Sequence, residues 1–130
     1  MKDAHRILVV DDNDALRENL TEALELEGFA VEAVASGQAA LAALGRDPLP
    51  AVVLIDMLMP GMSGQELVAA LRRDPRLARL KVALVSGLAP TREALQVDAV
   101  LGKPFGVSEL LRVVERLLAE AGAPAAPAAP

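Results

Sequence analysis

The residues of this chain that could do chemistry are a few acids, one hydroxyl and one lysine, each at the end of an apolar run. Four separate runs carry them: Asp11 and Asp12, then Asp56, then Ser86, and finally Lys103. Carboxylates brought to about 5 Å repel by roughly 3 kcal/mol per pair at an effective dielectric of 20. Three of them together therefore need either a proton or a cation among them. Oxygen ligands without His or Cys favour Mg²⁺ first and Mn²⁺ second.

A lysine, a hydroxyl and a metal around one carboxylate are the groups that stabilise a transferring phosphoryl group. Asp56 would then be free to act as the nucleophile. Each residue alone has an ordinary explanation, because an acid after a strand is usually a turn residue or a helix cap, as Asp14 could be. Their joint placement after four successive runs favours a single site. The methionines that follow Asp56 are expected only to fill gaps in a loop: Met57, Met59 and Met62.

The apolar runs predict the strands that must position these residues. They are short, continuous and rich in β-branched residues, which is typical of parallel strands covered on both faces: residues 7–10, 51–55, 82–85 and 99–101. A fifth candidate, residues 30–35, carries Glu32 in its middle. Since a charge is easier to place at the edge of a sheet, we expect an edge strand there.

Helical patterns fill the intervals between the strands. Gly28 is a stop signal for the first helix, and Ser36, Ser63 and Ser108 are predicted N-caps of three others. The interval after Ser86 is short, so we expect a shortened fourth helix that spans little beyond residues 91–96. Alternating strands and helices predict an α/β fold, a three-layer α/β/α sandwich around a five-stranded parallel sheet. The carboxyl ends of such strands share one edge, where ligands bind.

Composition limits the other classes of function. The 130 residues suit one domain, which we assign to residues 1–121, and residues 122–130 are expected to be an Ala/Pro-rich disordered tail or linker stub. A net charge of −5 argues against direct nucleic-acid binding, and the absence of Cys excludes thiol chemistry. No apolar run approaches the ~18 residues of a membrane span, and no secretory signal is seen, so a cytoplasmic protein is expected. His5 is expected to be a solvated terminal residue.

Four stretches of the sequence resemble the receiver domains of two-component response regulators. The likeness covers roughly residues 6–121, and its most specific stretch is Asp-Met-x-Met-Pro-x-Met-x-Gly at residues 56–64. The other stretches are Ile-Leu-Val-Val-Asp-Asp-Asn at 7–13, Val-Ser-Gly at 85–87 and Lys-Pro-Phe at 103–105. The resemblance implies a flavodoxin-like fold, similar to chemotaxis regulators, with strand order 2-1-3-4-5.

The same resemblance implies a set of roles for the acids. Asp56 would take a phosphoryl group from the phosphohistidine of a sensor histidine kinase or a phosphotransfer protein. Asp12 and Asp56 would bind Mg²⁺ directly, together with the backbone carbonyl of Leu58, and Asp11 would hold the ion through water. The phosphorylated domain would then act on a downstream output protein or domain, as a monomer or a weak homodimer.

Further implied roles concern the sensing of the phosphoryl group. Lys103 would pair with its oxygens, Ser86 would donate a hydrogen bond to one of them, and the small Gly87 would leave the site open. The peptide bond between Lys103 and Pro104 would be cis. The family's switch aromatic, three residues before the lysine, is replaced here by Val100. With Ser86 and Val100 at the switch positions, a swinging aromatic ring cannot be part of the response. In the family, the face built from the fourth helix, the last strand and the last helix is a common dimer and output surface, and its use here is in doubt.

Two other functions compete with the phosphoacceptor hypothesis. A receiver-like protein-interaction module that works without phosphorylation is favoured by Val100 and by the short fourth helix. A Mg²⁺-dependent phosphatase with Asp56 as nucleophile is disfavoured, because such enzymes usually carry an acid two residues later, where this chain has Leu58. A phosphoacceptor would catalyse only its own phosphorylation and slow dephosphorylation, and would not be an enzyme in the usual sense.

Overall fold

The strands form one parallel sheet in the predicted order. The computed structural model describes residues 5–87 and 96–121. Five strands pair in the order β2-β1-β3-β4-β5, which confirms both the fold class and the edge position of β2. Their bounds are β1 Arg6–Val10, β2 Ala30–Val34, β3 Val52–Asp56, β4 Lys81–Ser86 and β5 Ala99–Gly102. Asp56 and Ser86 are thus the last residues of their strands.

Four helices lie within the described residues. They are α1 Asp14–Leu26, α2 Gly37–Leu44, α3 Gly64–Arg73 and α4 Val107–Glu120. The predicted caps at Ser36 and Ser63 are confirmed, since their hydroxyls accept hydrogen bonds from the N–H groups of Ala39 and Glu66 at 3.0 and 3.1 Å. Gly28 follows α1 with φ 94°, a left-handed conformation that glycine adopts without strain. The predicted shortened helix at residues 91–96 falls mostly on residues 88–95, outside the described part of the chain.

One of the three predicted caps, Ser108, was wrong. The last helix begins at Val107 rather than after Ser108, because Glu109 accepts a hydrogen bond from the Gly106 N–H at 3.2 Å and holds the turn there. In the first helix, Asp14 is the first helical residue. Asn13 is its cap and accepts a hydrogen bond from the Leu16 N–H at 2.9 Å.

Apolar side chains cover the sheet on both faces, which gives the three predicted layers. Helices α2 and α3 bury one face and α1 and α4 the other, because alternate residues of each buried strand point to opposite sides. In β3, for example, Val53 and Ile55 pack towards α2 and α3, while Val52 and Leu54 pack towards α1 and α4. All five residues of β3 are buried. The strand that ends in Asp56 therefore lies at the centre of the domain.

His5 is buried, contrary to the prediction that it would be solvated. Only 2% of its surface is exposed. Its carbonyl accepts a hydrogen bond from the Ala30 N–H at 3.2 Å, as part of the pairing of Arg6 with Ala30 at the start of β1 and β2. Its ring lies edge-on to Phe29, with ring centroids 6.2 Å apart. Within the described ranges, no helix has the length and apolar character needed to cross a membrane.

Candidate functional site

The turn from β1 into α1 holds two of the predicted acids at the carboxyl edge of the sheet. The Asp11 N–H donates to the Val34 carbonyl at 3.1 Å, and Asp11 Oδ1 accepts from the Asn13 N–H at 2.8 Å. Arg17, one turn into the helix, donates from Nη1 to the Asp11 carbonyl at 2.8 Å. These bonds fix the peptide that joins Asp11 to Asp12. Asp11 is buried, with 1% of its surface exposed, whereas Asp12 is exposed.

The end of β3 positions Asp56 and is held closely from both sides. Asp56 pairs with Val85 of β4, and the Met57 N–H donates to the Val85 carbonyl at 2.9 Å. The Gly64 N–H donates to the Met57 carbonyl, also at 2.9 Å, so the first residue of α3 is tied to the residue after Asp56. A Cβ on Gly64 would lie 2.8 Å from Met57 Cα and closer still to the Asp56 carbonyl oxygen. Glycine is therefore needed where α3 meets this strand end.

Lys103 reaches the same edge from β5. Its N–H donates to the Ser86 carbonyl at 2.8 Å, which fixes its backbone to the end of β4. Its Nζ lies 3.2 Å from Asp56 Oδ1 and donates a hydrogen bond to it. The Lys103–Pro104 peptide bond is cis, as the family resemblance implies. The lysine side chain is 36% exposed and the Asp56 side chain 6%, so a solvent-facing cation is paired with a buried carboxylate.

The three carboxylates converge as the sequence predicted. One oxygen from each of Asp11, Asp12 and Asp56 lies within 4.8 Å of the others. Burial, followed by the nearby charge of Asp56, raises the pKa of Asp11, although the Asn13 N–H and Lys103 act in the opposite direction. Asp11 Oδ2 is buried and has no hydrogen-bond partner among the described residues.

An orphaned carboxylate oxygen beside two other carboxylates fits a hard divalent cation. Every donor in the cluster of Asp11, Asp12 and Asp56 is oxygen, which suits Mg²⁺ or Mn²⁺. The contribution of the Leu58 carbonyl stays a prediction. Leu58 follows β3 in the loop that passes this edge, and its side chain is 70% exposed. The arrangement can hold a cation against a carboxylate whose other neighbour is the Lys103 ammonium group.

Ser86 and Val100, the predicted switch positions, lie on the face of the sheet that packs against α2 and α3. Ser86 is buried, with 2% of its surface exposed, and its hydroxyl donates to Met57 Sδ at 3.3 Å. Val100 is half-buried and packs against the same apolar cluster as Met57. A Cβ on Gly87 would have no heavy atom of the described residues within 4 Å.

Sequence reasoning missed several residues that hold the site. Gly64 lies within the recognised motif, but its close approach to β3 depends on where α3 begins. Arg17 has no distinguishing pattern, because an arginine on a surface helix usually carries a solvated charge. Met57 was expected only to fill space, and its contact with Ser86 depends on the register of β3 with β4.

Comparison with known proteins agrees with this geometry. The family model described as "Response regulator receiver domain" matches residues 7–115. The receiver protein CpdR of Brucella abortus is 34% identical over 118 residues, which cover 87% of this chain and 96% of CpdR. The phosphate regulon transcriptional regulatory protein PhoB of Rhizobium meliloti is 33% identical over 121 residues, which cover 89% of this chain and 53% of PhoB. The chain thus spans about half the length, or less, of the curated relatives that it matches first.

Solved structures give the same result for the fold. The chemotaxis protein CheY4 of Vibrio cholerae superimposes with a TM-score of 0.81 at 28% sequence identity. That similarity covers 88% of this chain and 98% of CheY4. The family model covers most of the chain, and the strand order, the acidic cluster and the cis bond are all in place. The chain belongs to the family of response regulator receiver domains, which are signalling domains of two-component systems.

Proposed function

We propose that this chain is a phosphoacceptor in a two-component phosphorelay and that Asp56 carries the phosphoryl group. A carboxylate oxygen of Asp56 attacks the phosphorus of a phosphohistidine on a sensor kinase or phosphotransfer protein. The new bond joins that oxygen to phosphorus, the bond from phosphorus to the histidine nitrogen breaks, and the imidazole leaves with the electron pair and takes up a proton. The product is an acyl phosphate, which a cytoplasmic output protein or domain then recognises.

The single observation that carries this proposal is the placement of Asp56 between a cation and an acidic pair. Asp56 is 5% exposed, receives a hydrogen bond from Lys103 Nζ at 3.2 Å, and lies within 4.8 Å of oxygens of Asp11 and Asp12. The transferring phosphoryl group is anionic, so a carboxylate can approach it only where positive charge offsets the repulsion. Lys103 supplies one positive charge at that point. It is well placed to follow the phosphoryl oxygens, because its side chain is partly exposed.

The acidic pair supports a role for a divalent cation in the same step. Asp11 and Asp12, with Asp56 and the Leu58 carbonyl, would hold Mg²⁺ or, as a substitute, Mn²⁺. The ion would neutralise charge on the phosphoryl oxygens during transfer. The orphaned Asp11 Oδ2 and the raised pKa of Asp11 both support a cation here, because an ionised Asp11 has too little compensating charge among the described side chains.

Intact mass spectrometry after incubation with acetyl phosphate and Mg²⁺ tests the proposal. We expect the wild-type chain to gain one phosphoryl group, and we expect no gain in the presence of EDTA. The Asp56→Asn variant should gain none. The matched control is Glu18→Gln, because Glu18 is an exposed acid on α1 that lies outside the cluster.

Two results would contradict the proposal. If the wild-type chain gains no mass under conditions that label another receiver domain, the interaction module that works without phosphorylation becomes the better hypothesis. If the chain releases phosphate rapidly over many turnovers, a phosphatase is favoured instead, although Leu58 stands where such an enzyme would carry its general acid.

A further inference from the structure

Met57 lies beside Ser86 in a row of side chains that crosses the sheet. Ile55, Leu84 and Val100 are paired across β3, β4 and β5 and face α2 and α3. Because side chains on one face recur every second residue, the next row towards the carboxyl edge is Met57, Ser86 and Gly102. Gly102 has no side chain, so Met57 is the side chain next to Ser86 in this row.

The contact between these two residues is a hydrogen bond to sulfur. The Ser86 hydroxyl donates to Met57 Sδ at 3.3 Å, and both side chains are at least partly buried. A hydroxyl has one hydrogen to donate, and a thioether is a weak acceptor. An anionic phosphoryl oxygen is a much stronger acceptor, because hydrogen bonds to charged groups are roughly twice as strong as neutral ones. A phosphoryl group within reach of Ser86 would therefore replace Met57 Sδ as the acceptor of the Ser86 hydroxyl.

We infer that Met57 is a resting acceptor of the Ser86 hydroxyl and the side chain that rearranges when phosphorylation draws the hydroxyl away. This inference rests on the proposed function, and it assigns Met57 a positioning role that works through Ser86. Three features support it. Met57 directly follows Asp56, it packs against the apolar cluster that also receives Val100, and its unbranched side chain adopts new rotamers easily. Phosphorylation can thus change the packing on this face of the sheet even though position 100 is Val100 and carries no aromatic ring.

Methyl NMR of methionine reads the resting contact directly. The chain has four methionines, so a sample labelled at the methionine methyl group gives few signals, which single Met→Leu variants assign. We expect Ser86→Ala to shift the Met57 methyl signal in the unphosphorylated protein. Beryllium fluoride with Mg²⁺, a stable stand-in for the phosphoryl group, should shift the same signal in the wild type and much less in Ser86→Ala. The signal of Met62, whose side chain lies against Gly37 of α2, is the internal control.

A double-mutant cycle then separates a role through Ser86 from a general packing effect. Met57→Leu keeps the apolar bulk and removes the sulfur, so beryllium fluoride should bind roughly two- to fivefold more tightly than to wild type, since one weak hydrogen bond no longer competes. In the Ser86→Ala background the same substitution should change the affinity by less than about 1.5-fold. The matched control Met59→Leu, in the same loop, should leave the affinity unchanged.

The outcomes distinguish this inference from the proposed function. If acetyl phosphate adds no mass to the wild type, the proposed function fails and the switch at Met57 fails with it. If the mass gain is normal but Met57→Leu changes the affinity equally with and without the Ser86 hydroxyl, Met57 does not act through Ser86. An unshifted Met57 methyl signal in Ser86→Ala would also overturn the inference, even in a fully active phosphoacceptor.

Discussion

Replacing Asp11 by Asn should stabilise the metal-free protein, although it removes a proposed metal ligand. Asp11 is buried, one of its oxygens has no partner among the described residues, and its pKa is raised chiefly by burial. A raised pKa in an acid means that folding disfavours its charged form. Asn has nearly the same shape, and its side-chain oxygen can still accept the bond from the Asn13 N–H. The substitution therefore removes an unfavourable charge and keeps the turn.

The size of the effect follows from the distances in the cluster. Two unit charges 4.8 Å apart repel by roughly 3.5 kcal/mol at an effective dielectric of 20. Attraction to Lys103 offsets part of this repulsion, and solvent screens the exposed Asp12. We therefore expect Asp11→Asn to raise the free energy of unfolding by about 1–3 kcal/mol, which corresponds to about 3–10 °C in Tm for a domain of this size.

The gain in stability should depend on pH in a defined direction. Above the ordinary pKa of an aspartate, the folded wild-type protein holds a proton on Asp11 more readily than the unfolded chain does. Its stability therefore falls as the pH rises through the raised pKa, and Asp11→Asn lacks this loss. The difference between the two proteins should be largest at neutral pH and should disappear as the pH falls to about 4.

Urea denaturation in EDTA from pH 4 to 8 measures this difference, and Glu22→Gln, an exposed charge change on α1, is the matched control. Adding Mg²⁺ should stabilise the wild type, by about 2.7 kcal/mol at one hundred times the dissociation constant, and should stabilise Asp11→Asn much less. If Asp11→Asn is destabilised at neutral pH without metal, or if its advantage grows as the pH falls, our account of the repulsion in this cluster is wrong.

Two further predictions concern residues that hold the site and the sheet. Gly64→Ala should force the end of β3 to shift, which should cost about 1–3 kcal/mol of stability and slow labelling by acetyl phosphate at least about tenfold, whereas Gly102→Ala, in open space, should do neither. Equal labelling rates would show that the strand end tolerates the shift. Arg72 binds three backbone carbonyls and a carboxylate, so Arg72→Met should cost about 2–4 kcal/mol in urea denaturation. The exposed Arg73 is the control, and an equal loss of stability in Arg73→Met would contradict the structural role of Arg72.

The sequence predicted the sheet and the convergence of the acids for a definite physical reason. Buried parallel strands are short apolar runs, so the first polar residue after each run marks the carboxyl edge. Asp11, Asp56 and Ser86 could be placed in this way before the structure was known. The caps at Ser36 and Ser63 were equally accessible, because a hydroxyl directly before a helical pattern has a free N–H group to bind.

The predictions that failed, or were not made, depend on information that is not local in the chain. His5 lies near the terminus, and nothing in its neighbourhood shows that its carbonyl bonds to the start of β2 and that its ring packs against Phe29. At the last helix, the carboxylate of Glu109 accepts a hydrogen bond from the Gly106 N–H and makes Gly106 the N-cap, although Ser108 has the side chain usually preferred at that position. The contact of Met57 requires the register between two strands that are separated by a helix, which no single stretch of sequence contains.

The most direct test of the central claim is to locate the phosphorylated residue. Borohydride reduces an acyl phosphate on aspartate to homoserine, which survives digestion and can be identified by peptide sequencing in a mass spectrometer. After treatment with acetyl phosphate and Mg²⁺, we predict homoserine at position 56 and unmodified aspartate at positions 11 and 12. Homoserine at either of those two positions, or at none of the three in protein that has gained a phosphoryl mass, would contradict the assignment of Asp56 as the acceptor.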